Sequence, residues 1–410
     1  LAHYSKSKLP YSKLSAGWAY MGLKDYEKAA SVFSNLKGEY EEEGLFLYAK
    51  SLFLSNNKNA EKTFIEYLAE YPKGKYSARA HSHLAEINEN KGNIEIAIEN
   101  LKKAADADPS LSGFSYYRIG LIENGRGDYD KAIKYFDNVS GSDPYFLDAM
   151  YWKALSQNKQ GKSEEALINL HLVSRNSPSL RNEALFEMAR IYKKNGDYKN
   201  ATIFLNNIAG ELWDESRVEM GNILLTQEKY NEAYSKFMEV VEKNQGSVNL
   251  ALFQAALTKK KLNESEKALS LLELYEQKFP EGDEIDKVHL LKGDIYQNIK
   301  YYKKALSEYD KINLEKSPDL TPYALEAKGW TWMGMKRYDM AFHNLEELSK
   351  NFPDFCGRAE IYFQLGNAAY AMGDLKSAER AYGQVKGDRK PEALFNLGKM
   401  YLENKEYNKA

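Results

Sequence analysis

Large apolar side chains recur along this chain at intervals of four and then three residues, each group beginning at an alanine. Ala132, for example, is followed by Phe136 and Val139, and Ala233 is followed by Phe237. These intervals place side chains on one face of an α-helix. The pattern therefore predicts a series of amphipathic helices, each burying a stripe that starts at its alanine.

The alanine that starts each stripe, called the anchor below, returns at a steady interval. The mean spacing is about 35 residues, close to the length of a unit built from two helices. A fixed interval of this length is typical of one structural unit copied many times along a chain. The anchors are Ala29, Ala60, Ala97, Ala132, Ala166, Ala201, Ala233, Ala268, Ala305, Ala341, Ala378 and Ala410.

A small side chain stands twelve residues before each anchor, and only Tyr48 breaks the series. Glycine inside a helix costs about 1 kcal/mol relative to alanine, so its repeated use needs a steric reason. We expect two helices to approach closely at these positions, which a larger side chain would prevent. The series is Gly17, Tyr48, Ala85, Gly120, Ala154, Ala189, Gly221, Ala256, Gly293, Gly329, Gly366 and Gly398.

Glycine followed by Asp or Asn marks the turn between the two helices of several repeats. Glycine supplies the backbone freedom that ends the first helix, and the next residue can cap the second helix. The pairs are Gly92 with Asn93, Gly127 with Asp128, Gly196 with Asp197, and Gly373 with Asp374.

These features resemble the tetratricopeptide repeat family over essentially all 410 residues. The phrases GWAYMGLKDYEKAASVF, YRIGLIENGRGDYDKAIKYF and YFQLGNAAYAMGDLKSAERAY carry the resemblance best. It implies an all-α fold, a right-handed superhelical solenoid of about twelve antiparallel two-helix repeats forming a single domain over 1–410. The chain stops at the anchor Ala410, which the pattern places in the first turn of a second helix. No polar capping helix follows, although a solenoid end normally has one. We therefore expect either a longer parent chain or another chain covering that end.

The same resemblance implies that the first helices line a concave groove that binds other proteins, as extended or helical segments. Positions fifteen and eleven before each anchor would face it. The row fifteen before is mostly apolar and aromatic, and the row eleven before alternates apolar with polar groups. Trp18 and Trp330 are the strongest candidates, because Trp is enriched where binding energy concentrates. The alternative is that these side chains pack between adjacent first helices. The full set of candidates is Trp18, Tyr117, Tyr151, Phe186, Arg190, Asn222, Phe253, Trp330, Phe363 and Asn367.

Charge and hydropathy narrow the possible partners. Lys and Arg total 57 against 59 Asp and Glu, a net charge of −2. Nucleic-acid binders normally carry a basic excess, because phosphate neutralisation supplies much of their affinity, so we expect no nucleic-acid partner. No apolar run of about 18 residues or more occurs, so we expect no transmembrane segment.

Side chains with catalytic or metal-binding chemistry are few and scattered. Nucleophile elbows, phosphate loops and dinucleotide-binding glycine motifs are absent from the sequence. His81 and His83 are two residues apart, which places them on opposite sides of a helix and favours surface histidines over a metal pair. His289 is isolated in the sequence, and Cys356 is interpreted as an ordinary side chain. We therefore predict no catalytic residue, metal or cofactor.

Three joints between repeats are similar to those of bacterial cell-envelope members of the same family: YPKGKYSARAH, FPEGDEIDKVH and FPDFCGRAEIY. They favour a scaffold that organises a multiprotein assembly of the envelope or of motility, with a periplasmic or envelope-associated location and a cytoplasmic alternative. Two other interpretations stay open: a regulatory or substrate-recruiting arm of an enzyme outside this segment, and a peptide-responsive sensor.

Overall fold

The computed structural model describes residues 10–355 and 359–410, so Cys356 lies outside the described residues. Within those ranges the regular structure consists of 23 α-helices and short 3₁₀ turns. The predicted all-α repeat fold is confirmed. The chain divides into two compact units, Leu1–Ile208 and Ala209–Ala410.

Helix pairs follow one another through unit 1. Odd-numbered helices are the first helices of their repeats, and even-numbered helices are the second. Their bounds are α1 Pro10–Gly22, α2 Tyr26–Phe33, α3 Glu41–Leu54, α4 Ala60–Glu70, α5 Ser77–Asn90, α6 Ile94–Ala107, α7 Ser112–Gly125, α8 Tyr129–Asp137, α9 Phe146–Lys159, α10 Ser163–Asn176, α11 Arg181–Lys194 and α12 Tyr198–Asn206.

The same alternation continues through unit 2. The helices are α13 Trp213–Thr226, α14 Tyr230–Lys243, α15 Val248–Lys261, α16 Ser265–Lys278, α17 Ile285–Asn298, α18 Tyr302–Tyr309, α19 Thr321–Gly334, α20 Tyr338–Asn351, α21 Ala359–Ala371, α22 Leu375–Gln384 and α23 Lys390–Glu403. In the described parts of the chain, short 3₁₀ turns precede five of the first helices, at Gly38–Tyr40, Pro109–Leu111, Gly210–Leu212, Pro318–Leu320 and Gly387–Arg389.

The predicted stripes form the core of each helix pair. All anchors except Ala410 are buried. The large side chains four residues after them are buried too: Phe33, Phe64, Leu101, Phe136, Leu170, Leu205, Phe237, Leu272, Tyr309, Leu345 and Tyr382. Burying one such side chain contributes about 1.5–3 kcal/mol, so these stripes dominate the stability of each pair.

The small-site glycines of the first helices lie directly against the large side chain of the second helix, with one exception. A Cβ atom added to Gly329 would lie 2.7 Å from Cδ2 of Leu345, and one added to Gly293 would overlap the ring of Tyr309. Gly398 is different, since an added Cβ would meet only the carbonyl oxygen of Ala410, 3.6 Å away. The predicted close approach of helices is therefore confirmed, and its cause is the large residue sixteen positions later.

The turns form largely as predicted. Gly127 and Gly196 adopt φ angles of 79° and 78°, in the left-handed region that favours glycine. Asp128 then caps α8 by accepting a hydrogen bond from the backbone N–H of Lys131, and Asp374 caps α22 in the same way. Asn93 makes no side-chain cap bond to α6, so that part of the prediction is wrong.

Ala410 does not lie in the first turn of a helix. Residues 404–410 form hydrogen-bonded turns, in which the N–H of Lys409 donates to the carbonyl of Glu406 over 2.9 Å. This prediction is wrong.

Contacts inside each unit are local along the chain. Helices pack chiefly against the next helix, as α5 does with α6, and more weakly against the next but one, as α13 does with α15. This is the pattern of a repeat protein, in which each repeat depends mainly on its neighbours. That residues 1–410 form a single solenoid stays a prediction.

Candidate functional site

A cavity of about 300 Å³ opens between the first helices of three successive repeats in unit 2. Leu290 and Glu326 stand fifteen residues before their anchors, and Asp294 and Trp330 stand eleven before. The two rows predicted to face a groove thus meet at one cavity. Its walls come from α15, α17 and α19: Lys260, Leu290, Asp294, Gln297, Asn298, Tyr323, Glu326, Ala327 and Trp330.

Polar groups in this cavity are held in place by one another. Nζ of Lys260 lies 2.8 Å from Oδ2 of Asp294, joining α15 to α17. The buried hydroxyl of Tyr309 lies 3.2 Å from Oδ1 of Asp294 and 3.2 Å from Oε1 of Gln297. Burial, and then the nearby Asp294 carboxylate, raise the pKa of Tyr309, which keeps it a neutral donor. The cavity therefore offers fixed polar groups beside the indole of Trp330.

The aromatic candidates of unit 1 lie in ring clusters. Trp18 is 46% exposed and packs edge-on against Phe33, with ring centres 6.3 Å apart. Tyr117 stacks on Tyr145 at 5.5 Å. Burial, with a smaller effect of nearby carboxylates, raises the pKa of Tyr151 to about 12. Of these side chains, Trp18 offers the most surface to a partner.

Phe186 and Phe363 are buried, at 9% and 4% exposure. The guanidinium of Arg190 lies 4.8 Å from the ring centre of Phe186 and also pairs with Glu187. These two phenylalanines therefore present little free surface. Arg190 is the more accessible member of the Arg190–Glu187 ion pair. Phe253 is partly buried against the core of unit 2. Whether any candidate binds a partner stays a prediction.

The two asparagine candidates already have partners within the fold. The amide of Asn222 donates to Glu219 over 3.4 Å. The side-chain oxygen of Asn367 accepts from the hydroxyl of Tyr382 at 2.7 Å and from the amide of Asn396 at 3.3 Å. A ligand at Asn367 would have to compete with these bonds.

A charged cluster between α16, α17 and α18 escaped the sequence analysis, and His289 is not isolated. Nδ1 of His289 lies 3.3 Å from Oε1 of Glu276 and 3.0 Å from Oε2 of Glu308. Nζ of Lys292 lies 2.6 Å from the other oxygen of Glu276 and 3.4 Å from that of Glu308. The two glutamates are 32 residues apart, close to the length of one repeat, and this spacing was the feature of the sequence that could have predicted the cluster.

The charges in this cluster determine whether it forms a metal site or an ion-pair network. Burial alone would raise the pKa of Glu308, but hydrogen bonds from His289 and Lys311, with the charge of Lys292, lower it to about 2. Glu276, His289 and Glu308 have donor atoms within 4.8 Å of one another, close enough to hold a metal ion. Lys292, only 4% exposed, already binds both carboxylates. The arrangement therefore works as an ion-pair network that links three consecutive helices.

His81 and His83 are not solvated surface histidines, contrary to the sequence interpretation. Nδ1 of His81 lies 2.8 Å from Oδ1 of Asn100. The ring of His83 lies 5.1 Å from that of Phe64, and burial lowers the pKa of His83 to about 4. The two do point in different directions, as their spacing predicted, because they contact the second helices of different repeats.

Among the described residues, no helix combines the length and apolar character needed to cross a membrane. The fold and the cavity between first helices define the class of this protein. It is an α-helical repeat protein with a surface suited to binding other proteins.

Models of the tetratricopeptide repeat match four segments of the chain: 117–179 and 363–410 with one model, and 78–111 and 183–208 with another. Each segment falls on helix pairs with the anchor, small-site and turn pattern described above. These segments of the chain are tetratricopeptide repeats, as the resemblance predicted.

Two curated proteins and one solved structure illustrate its similarities. A BBSome complex member BBS4 homolog of Drosophila melanogaster is 24% identical over 358 residues, covering 79% of this chain and 70% of that protein. The AimR transcriptional regulator of Bacillus phage phi3T is 36% identical over 97 residues, and the chain spans only 24% of its length. The C-terminal part of a repeat protein from Cytophaga hutchinsonii has a TM-score of 0.45 at 17% identity, covering 63% of this chain and 98% of that one.

Proposed function

We propose that this chain is a non-catalytic scaffold that binds partner proteins through the groove of its first helices, within a multiprotein assembly of the bacterial envelope or of motility. The observation that carries the proposal is the cavity on α15, α17 and α19. It places Trp330 beside the fixed Lys260–Asp294 ion pair. An apolar wall next to oriented polar groups suits a partner segment with an apolar anchor and hydrogen-bonding neighbours.

Two observations support the assembly part of the proposal. The similar Drosophila protein is named as a member of a complex, and the similarity extends over most of this chain. The inter-repeat joints, such as YPKGKYSARAH, resemble those of envelope proteins of this family. Fractionation of the native cells into periplasm, membrane and cytoplasm would test the location. Recovery in the cytoplasm alone would contradict it.

Replacing Trp330 with Ala should weaken partner binding, because a buried Trp at an interface often contributes 2 kcal/mol or more, about thirtyfold in Kd. Partners would first be identified by affinity capture from native cells, and one would then be purified for calorimetry. Trp332→Ala is the matched control, since it removes an indole from the same helix but outside the cavity lining. Circular dichroism would verify that both variants stay helical.

Photo-crosslinking distinguishes partner binding in the groove from binding at other surfaces. A photoreactive residue placed at 330 should capture the purified partner, whereas one placed at His343, which is exposed on α20, should not. Capture from 343 alone, or unchanged binding by Trp330→Ala, would contradict the groove.

A second candidate function is a ligand-responsive regulator, favoured by the 97-residue similarity to a phage transcriptional regulator. Such a protein would change its helix packing when a short peptide binds. Hydrogen exchange with and without the partner segment distinguishes the two: a scaffold gains protection at the contact alone, whereas a sensor changes along several repeats.

A further inference from the structure

A cluster of lysines and tyrosines lies at the turn between α17 and α18, apart from the cavity that contains Trp330. It consists of Lys300, Tyr301, Tyr302, Lys303 and Lys304, together with Met335 from the turn of the next repeat, and is called here the lysine–tyrosine edge. These six residues line a depression of about 460 Å³.

The aromatic part of this edge is held by packing. The ring of Tyr302 lies against the backbone of Gly334, where an added Cβ would be 2.7 Å from Cζ of the tyrosine. Tyr301 projects outward and is 58% exposed. Nζ of Lys304 lies 5.7 Å from the ring centre of Tyr301 and 5.3 Å from that of Tyr296. The edge therefore combines a fixed ring, an exposed ring and ammonium groups.

A second depression, of about 740 Å³, adjoins the first and shares Tyr301 and Lys304 with it. Leu269, Tyr296 and Ile299 form the apolar part of its lining, and most of its other lining residues are polar. It reaches the turn that precedes α16, so the two depressions together follow the turns of three successive repeats. A surface of this length fits an extended chain segment better than a compact small molecule.

The lysines of the first depression indicate the charge of the segment that would bind there. Lys300, Lys303 and Lys304 are exposed and have no carboxylate within 4 Å among the described residues. At the neighbouring turn, Glu264 already pairs with Lys259 and Lys267, and Glu266 is exposed. The first depression therefore carries three lysines that no carboxylate of the described residues pairs with, while the second combines an apolar group of Leu269, Tyr296 and Ile299 with polar residues that include the already paired Glu264.

We propose that the lysine–tyrosine edge binds an acidic peptide segment of a partner protein. Its carboxylates lie over Lys300, Lys303 and Lys304, and one large apolar side chain enters the second depression between Tyr296 and Tyr301. Clustered lysines attract anionic segments and speed their encounter, and the adjoining rings select for an apolar residue among the acids. This interface is separate from the groove of the proposed function and does not depend on it.

The test uses the full chain and a short fluorescent peptide with acidic residues on both sides of one phenylalanine. Fluorescence anisotropy should show binding that weakens as salt is added, because exposed charges are screened. A peptide with alanine in place of phenylalanine should bind at least about tenfold more weakly, and one with lysines in place of the acids should not bind.

Charge reversal locates the site. The double variant Lys300→Glu with Lys303→Glu should weaken binding by about tenfold or more. The matched control, Lys316→Glu with Lys386→Glu, makes the same charge change at exposed lysines of the same unit and should stay within about twofold of the original chain. Glutamate at 303 falls in the first turn of α18, where an acidic residue is favourable, so the variant is expected to fold.

Tyr301→Ala should also weaken binding while leaving helicity unchanged. The proposal is overturned if the original chain does not bind the peptide, or if the two double variants lose affinity equally. Anionic phospholipid vesicles provide the other arm of the test. Flotation with vesicles that depends on Lys300 and Lys303, without peptide binding, would assign the edge to a membrane surface and overturn the peptide proposal.

Discussion

At the scale of single residues, the repeat depends on a pair of side chains sixteen positions apart. Gly293 faces Tyr309, and Gly329 faces Leu345. Helix propensity alone would favour alanine over glycine at both places. Because interiors are close-packed, the space used by the large residue has to be released by the small one. The glycine series is thus a packing requirement expressed in the sequence.

Gly329→Leu should destabilise the protein by about 1–3 kcal/mol, because the added side chain overlaps Leu345 and cannot be accommodated without backbone shifts. Chemical denaturation followed by circular dichroism would measure it. Gly383→Leu is the control, since nothing lies within 4 Å of a Cβ added there. Equal effects of the two variants would show that the small site is not a steric requirement.

At the scale of helices, the repeats are connected by polar side chains in addition to the apolar stripes. Glu276 on α16 and Glu308 on α18 both bind Lys292 and His289 on α17. Breaking a buried ion pair on one side leaves a charge without compensation, which costs more than the intact pair contributes. This network therefore favours one relative placement of three helices.

The network should make stability depend on pH in a definite direction. The folded pKa of Glu308, about 2, lies below its ordinary value of 4.5. Its contribution is therefore present above about pH 4.5 and is lost as the pH falls toward 2. Glu308→Gln should lower the melting temperature near neutral pH, and its difference from the original chain should shrink between pH 5 and 3.

Glu315→Gln is the matched control for this measurement, because Glu315 is exposed and outside the network. Its difference from the original chain should be small and should not change along the same pH series. A difference between Glu308→Gln and the original chain that stays constant with pH would contradict the predicted coupling.

At the scale of the whole molecule, stability is distributed along the chain. Helices pack chiefly with neighbours one or two elements away, so a repeat senses a defect mainly through the repeats beside it. The chain divides at residues 208 and 209 into two compact units. Local opening should therefore be the main response to a local defect.

Gly120→Leu in α7 should raise hydrogen exchange in α7, α8 and the adjoining repeats, because its added side chain overlaps Phe136. Exchange in α20 to α22 should be unchanged. Mass spectrometry of peptic fragments measures both regions in one experiment. Uniformly faster exchange in both units would show that the chain unfolds as one cooperative body instead.

The sequence by itself determined the helix pairs, their order and the identity of the buried stripe. Anchor alanines, small sites and turn glycines such as Gly127 act within about 35 residues, so a periodic pattern reveals them. It also pointed to Trp330 as a groove residue, and the cavity lining includes that side chain.

Only the tertiary structure decided which polar and aromatic groups meet across repeats. His289 is isolated in the sequence but lies between two glutamates in space, and His83 lies against Phe64 from the previous repeat. The physical reason is that such contacts depend on the rotation and offset of one helix pair against the next. Stripe periodicity sets which face of a helix is buried, whereas side-chain packing between repeats sets which groups on that face come together.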